Sequence, residues 1–173
     1  AYVERQGALG MKWVAGYPEN KGRGMALRAG FAAARGEIVV AVDFDLSYSI
    51  DQVVTLYRYL IEHPHVDVVL GSAYMPGGAT EGVPFLRLLI SRLGNLILTR
   101  ALRGDFHTVT CVFRGYRKAA LAQLDLESED KEIHLEILSR CMAMGLEVRE
   151  IPVTLRTRKK GSSKFRFKGT AFT

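Results

Sequence analysis

Asp43 and Asp45, two carboxylates one residue apart, follow directly on the apolar run Ile38-Val39-Val40-Ala41-Val42. Neighbouring carboxylates repel unless a cation lies between them, and hard divalent cations take carboxylate and phosphate oxygens together. The pair therefore suits a metal that also grips a phosphorylated ligand; its plainer role is an Asp-capped turn into the next helix. Ser47, two residues past Asp45, either caps that helix or orients a metal-bound water. A second candidate is Asn20-Lys21-Gly22-Arg23-Gly24, which opens a helix. Glycines let backbone approach an anion, and helix N-termini favour negative charge. The spacing is neither a Walker A loop nor a dinucleotide fingerprint, so a plain loop-to-helix junction is the competing role. Third, Arg87, Ser91 and Arg92 lie within about a turn of one another on an otherwise apolar segment. His107 and His134 are isolated from each other and from cysteines at ligand spacing, and Glu132 and Glu136 read as a solvated helix face.

These groups need elements to hold them. A continuous β-branched run is a strand buried on both faces, as in a parallel sheet, and ligands collect beyond the carboxyl ends of such strands. The pattern predicts helices at 25–34, 50–63, 85–102, 118–124 and 131–144. Strands are predicted at 37–42, 66–70, 108–113 and 147–155, with a glycine- and proline-rich loop at 74–83. Strands alternating with helices indicate βαβ units and a mostly parallel α/β sheet.

The chain has 173 residues, enough for one domain with a real core, and a net charge of +6. The charge is local. Seven basic residues and no acid lie between Arg156 and the C-terminus, and four arginines and no acid between Pro84 and Gly104. Without these two segments, thirteen basic residues face eighteen acidic ones, so the protein is an acidic body with two cationic patches. Cys111 and Cys141 form no C-x-x-C pair, and no uninterrupted apolar stretch reaches bilayer-spanning length. The 84–103 segment has the make-up of an interfacial membrane helix; a core helix with snorkelling arginines is the alternative. The 156–173 tail suits a nucleic acid, an anionic lipid or a phosphorylated ligand, with a plain solvated tail as the alternative.

Taken in order, several motifs resemble the family-2 glycosyltransferases, and more narrowly the branch that makes dolichyl- or polyprenyl-phosphate sugars. They are Asn20-Lys-Gly-x-Gly-x-Ala-x-x-x-Gly30, Asp43-x-Asp45, Gly71-Ser72, Ser91-Arg92-x-x-Asn95, Phe113-Arg114-x-Tyr116-Arg117, Glu136-Ile-Leu, Glu150-Ile-Pro152-Val and Arg158-x-x-Gly161-x-Ser163-Lys164. The resemblance implies a GT-A fold over residues 1–155, lacking its N-terminal part, followed by a basic mobile loop at 156–173. It implies Mg²⁺ or Mn²⁺ held by Asp45 and Asp43, and a nucleotide-diphosphate sugar (GDP- or UDP-) near Lys21, Gly22, Gly24, Asp43 and Ser47. Arg158 and Lys164 would close over the pyrophosphate, while Arg87 and Ser91 would hold the acceptor phosphate. The expected reaction is inverting transfer of a hexose to a polyprenyl phosphate at the cytoplasmic face of a membrane.

A phosphate acceptor fits chemically, because it is already anionic and needs no general base, whereas a sugar hydroxyl does. Three features depart from the family pattern: Ala73 stands where relatives carry Arg, Ser47 where many have Gln, and Thr108-Val-Thr110-Cys111-Val112 replaces an Asp-x-Thr-Ser-Gly stretch. The family's first strand and base-binding turn would precede Ala1, so this chain alone is expected to be inactive. Two alternatives stand beside this reading. One is a glycan-hydroxyl acceptor served by Glu132 or Glu136; the other is a basic module for anionic lipid or nucleic acid. On the leading reading nucleic acid is not a partner.

Overall fold

A computed structural model of the chain describes residues 5–7, 10–12, 20–43, 45 and 47–157. A small antiparallel pair comes first, β1 (Arg5–Gly7) and β2 (Gly10–Lys12). Then follow α1 (Gly22–Ala33), β3 (Ile38–Ala41), α2 (Ile50–Glu62), β4 (Val68–Ser72), β5 (Ala79–Glu81) and α3 (Phe85–Leu102). The chain continues through β6 (Arg114–Arg117), α4 (Lys118–Leu121), α5 (Ile133–Ala143), β7 (Val148–Pro152) and β8 (Thr154–Arg156).

The main sheet has the order β3-β6-β4-β7. Strands β3 and β4 both run antiparallel to β6, and β4 runs parallel to β7, so β3, β4 and β7 share one direction. Alternation along β4 builds both faces of the core. Val68 and Leu70 enter a cluster with Tyr116, Ile133, Ile137 and Leu138. Val69 enters the opposite one with Leu56, Leu60, Phe113 and Ile151.

Two expectations need correction. The 108–113 segment is not a strand; the strand lies just beyond it, at Arg114–Arg117. Its β-branched residues look strand-like, but its backbone groups at 108–111 bond to side chains of Asn95, Arg114 and Glu150. Pairing with β4 starts at the Phe113 carbonyl, which accepts from the Gly71 N–H (3.0 Å). The last strand is also broken. Val153 carries the junction: its N–H donates to the Ser72 carbonyl of β4 (3.1 Å), and its carbonyl accepts from the Ala79 N–H of β5 (3.0 Å). Beyond it β8 crosses to pair in parallel with β5, which itself lies inside the predicted 74–83 loop.

Candidate functional site

Strands β3 and β4 end at a cleft of about 190 Å³. Asp43 and Asp45 reach it from the turn after β3, Ala73 and Tyr74 from the end of β4, and Arg156 and Thr157 from the end of β8. Helix α3 contributes Arg87 and Ser91, and the 107–112 segment contributes Thr108, Thr110, Cys111 and Val112. Five predicted residues that are distant in sequence (Asp43, Asp45, Ser47, Arg87 and Ser91) therefore line one cavity.

The Asp turn is held from several directions. Asp45 Oδ1 accepts hydrogen bonds from the backbone N–H (3.0 Å) and hydroxyl (2.6 Å) of Ser47. The Ser47 carbonyl accepts from the Arg156 N–H at 2.9 Å, tying the turn to β8. Ser49, not Ser47, caps α2, through a reciprocal capping box with Gln52. The Gln52 amide donates to the Thr154 carbonyl (3.2 Å), fixing the same junction from the helix side. Carboxylate oxygens are hard ligands. Among the described residues no group of three or more His, Cys, Asp or Glu side chains could hold a metal. Any cation held at Asp43 and Asp45 would need its remaining ligands from outside these side chains.

On α3, Ser91 Oγ accepts from the Tyr74 hydroxyl at 2.9 Å, and the Arg92 guanidinium sits 5.5 Å from the Tyr74 ring centre. Tyr48 is buried at the cleft and stacks on Phe113, with ring centres 4.2 Å apart. Burial, reinforced by Cys111, Tyr74, Asp43 and Asp45, pushes its phenol far above the ordinary range. Burial also pushes the Cys111 thiol up, against the opposing pull of Arg114. Both groups stay protonated at neutral pH, so neither supplies a ready base or nucleophile.

Glu132 and Glu136, the carboxylates a hydroxyl acceptor would need, do not line this cleft. Burial raises the Glu136 carboxyl, but hydrogen bonds from the Glu127 and Ser128 N–H groups and from Arg140 outweigh it and hold it below the usual range. It ties helix α5 to the 127–128 backbone.

The glycine-rich opening of α1 has a packing function. Gly22 has φ of +90°, and a Cβ there or at Gly24 would run into the carbonyls of Glu129 and Ser128. The Met25 N–H donates to the Glu129 carbonyl (3.1 Å), and the Gly22 N–H to Asn20 Oδ1 (3.0 Å). Lys21, Gly22 and Gly24 do not line the cleft; Arg23, between the two glycines, does. Arg158 and Lys164 lie outside the described residues. Tyr74, Thr108, Thr110 and Arg156 are cleft residues without a predicted site role, and Arg23 is the member of the Asn20–Gly24 motif that reaches the cleft. The one sequence signal for Arg156 was its place in the basic run, and in the structure it pairs with Glu81 (2.8 Å).

The sequence pattern that defines glycosyl transferase family 2 matches residues 17–125. Polyprenol monophosphomannose synthase of Mycolicibacterium smegmatis is 30% identical over 149 residues, covering 83% of this chain and 56% of the relative. Undecaprenyl-phosphate mannosyltransferase of Micrococcus luteus is 32% identical, covering 83% and 60%. Dolichol-phosphate mannosyltransferase of Pyrococcus furiosus is 29% identical, covering 87% and 42%. The chain thus spans about half the length of the relatives it matches. In fold it is similar to glucosyl-3-phosphoglycerate synthase from Mycobacterium tuberculosis, solved with Mn²⁺, UDP and glucosyl-3-phosphoglycerate. The TM-score is 0.61 and the identity 18%, over 84% of this chain and 50% of that one.

Proposed function

This chain belongs to glycosyl transferase family 2, and on that premise we propose that it forms the core of an enzyme moving a hexose from a nucleotide-diphosphate sugar to a polyprenyl phosphate. The observation that carries the proposal is the shared cleft, where Asp43 and Asp45 meet Arg87 and Ser91. An acceptor phosphate oxygen attacks the anomeric carbon from the face opposite the leaving group. The bond from that carbon to the diphosphate oxygen breaks, the nucleoside diphosphate departs, and the configuration inverts.

Asp45 and Asp43 would hold Mg²⁺ or Mn²⁺, which when bound supplies positive charge to the leaving diphosphate. Ser47 keeps Asp45 Oδ1 in one orientation for that task. Arg87 pairs with the acceptor phosphate. The Tyr74 hydroxyl donates to Ser91 Oγ, so the Ser91 proton is available to donate to the same phosphate. Arg23 adds a cation at the cleft, and Arg156 a second one already paired with Glu81, which eases the approach of two anions where Ala73 brings none. Within the glycine-rich opening Arg23 takes the donor-side role, and Gly22 and Gly24 allow the close packing on Ser128 and Glu129 that positions it. Attack by an anion needs no base, which agrees with a cleft where Tyr48 and Cys111 stay protonated and Glu132 and Glu136 are absent.

The acceptor's lipid tail calls for a membrane, and the outer face of α3 matches one. Phe85 (77% exposed), Leu86, Ile90, Leu93 and Ile97 all face solvent on a helix with no acidic residue. No helix among the described residues is long and apolar enough to cross a bilayer. On this reading α3 lies flat on a membrane, on its cytoplasmic side. The relatives' names make mannose the first sugar to test.

The test is transfer of labelled mannose from GDP-mannose, or glucose from UDP-glucose, into lipid extract by the full-length protein with Mn²⁺ and polyprenyl phosphate. Asp45→Ala is expected to reduce turnover by at least about 10²-fold. Unchanged turnover in that variant would remove the metal assignment.

A further inference from the structure

Asn95 is the one fully buried residue of α3, at 2% exposure, on a helix that turns most of its apolar side chains outward. A primary amide is costly to bury unless both ends are bonded. Its Nδ2 donates to the Ser91 carbonyl (2.8 Å). Its Oδ1 accepts from the Val109 N–H (2.8 Å), the Thr110 N–H (3.2 Å) and the Thr110 hydroxyl (3.3 Å). Two backbone donors facing one atom require that atom to be the oxygen, so the amide orientation follows from chemistry.

Around it, the 106–111 backbone is satisfied by side chains from three elements. Thr99 Oγ1 donates to the Phe106 carbonyl (2.8 Å). Glu150 accepts from the His107 and Thr108 N–H groups (2.8 and 2.7 Å). Arg114 donates to the Val109 and Cys111 carbonyls (2.6 and 2.9 Å). Glu150 and Arg114 fasten the segment to the sheet, whereas Asn95 and Thr99 fasten it to α3. Arg87, Ser91, Asn95 and Thr99 recur every four residues and so form one stripe along that helix. Its first two members line the cleft, and its last two grip the segment that forms another part of the cleft lining.

We propose that Asn95 is a positioning residue that locks α3 to the 107–112 segment, so that Arg87 and Ser91 meet the acceptor phosphate at a fixed distance from the donor carboxylates. This rests on the function proposed above. A misplacement of about 1 Å in such a site costs up to about 10²-fold in rate.

The experiment compares Asn95→Leu with Asn95→Asp in the full-length protein. Asn95→Leu is expected to raise KM for polyprenyl phosphate about tenfold with KM for the nucleotide sugar unchanged. Asn95→Asp, which keeps the oxygen that accepts from residues 109 and 110 but loses the donor to the Ser91 carbonyl, is expected to recover only part of that loss. Hydrogen exchange at the Val109 and Thr110 amides should rise at least about tenfold in Asn95→Leu, while the α2 amides keep their protection. Equal changes in both KM values, or no change in a folded Asn95→Leu, would overturn the proposal. If Asn95→Leu does not fold, Thr110→Val deletes one donor to Oδ1 and should raise acceptor KM about threefold; no rise counts against the proposal. Absence of transfer by the wild type would instead defeat the functional reading, and the exchange measurement would still decide the Asn95 tie.

Discussion

Helices α2 and α3 are both rich in apolar residues, yet they are attached to the protein in opposite ways. Helix α2 opens with a Ser49–Gln52 capping box and buries Leu56 and Leu60 completely beneath Val69 and Phe113. Helix α3 begins at Pro84 with no side-chain cap and buries only Asn95 fully; Leu98 and Leu102 reach the core in part. Its links to the body are largely polar, through Tyr74–Ser91, Asn95 with Val109 and Thr110, and Thr99 with Phe106. The difference shows that an apolar helix need not be a core helix. In α2 burial supplies stability, whereas in α3 hydrogen bonds supply position and the apolar face remains for another surface.

Stability measurements give the sharpest division. Leu60→Ala in α2 is expected to lower unfolding free energy by about 2–5 kcal/mol in urea titrations. Ile90→Ala in α3, at 56% exposure, should stay within about 0.5 kcal/mol. Similar losses at both positions would mean that α3 is a core helix after all.

The core side also carries a pH signature. His134 in α5 is 2% exposed, and neither ring nitrogen has a hydrogen-bond partner. Burial, then Arg114 and Arg23, lowers its pKa from 6.5 to about 3. The unfolded chain takes up this proton as pH falls through 6.5, while the folded chain does not until about 3. Stability is therefore intact above 6.5 and is lost progressively as pH falls through that window. Between pH 7 and 5 the wild type should lose about 2 kcal/mol more than His134→Leu, measured by urea unfolding at both pH values. Equal slopes would show that the imidazole is not held neutral.

The smallest expected effect tests the outer face of α3. The chain should bind vesicles containing phosphatidylglycerol, and substituting Leu86, Ile90 and Leu93 together by Ser should weaken partitioning by about tenfold. Salt at about 0.5 M should weaken it as well, because Arg92 and Arg100 lie on the same helix. Ile61→Ser, at an exposed site of α2, should leave binding unchanged. Failure of the wild type to bind such vesicles would sever α3 from the lipid.

Legibility followed the range of the interactions. The β3 strand and its two carboxylates were readable because a contiguous β-branched run and the residues after it form one local unit. The bounds of α3, Phe85 and Leu102, matched the sequence pattern for the same reason. The 108–113 segment misled because its alternation is that of a strand, while Asn95 and Glu150, which take its amides, lie 14 and 42 residues from Val109 and Thr108. The glycines of α1 were visible as a special opening, but their close neighbours, Ser128 and Glu129, are about a hundred residues away.

Sequence alone determined the α/β alternation, the D-x-D turn beyond a strand, the family and the two cationic segments, because each depends on neighbours along the chain. Pairing with a distant segment decided that β3 ends the described sheet, half-buried and antiparallel to β6, rather than buried on both faces among parallel strands. Tertiary structure decided which face of α3 looks inward and which residues share the cleft. It joined Arg87 and Ser91 to Asp43 and Asp45, left Glu132 and Glu136 outside, and brought in Arg23 and Arg156. Those outcomes depend on strand pairing and side-chain bonds between distant segments, which periodicity and local spacing do not encode.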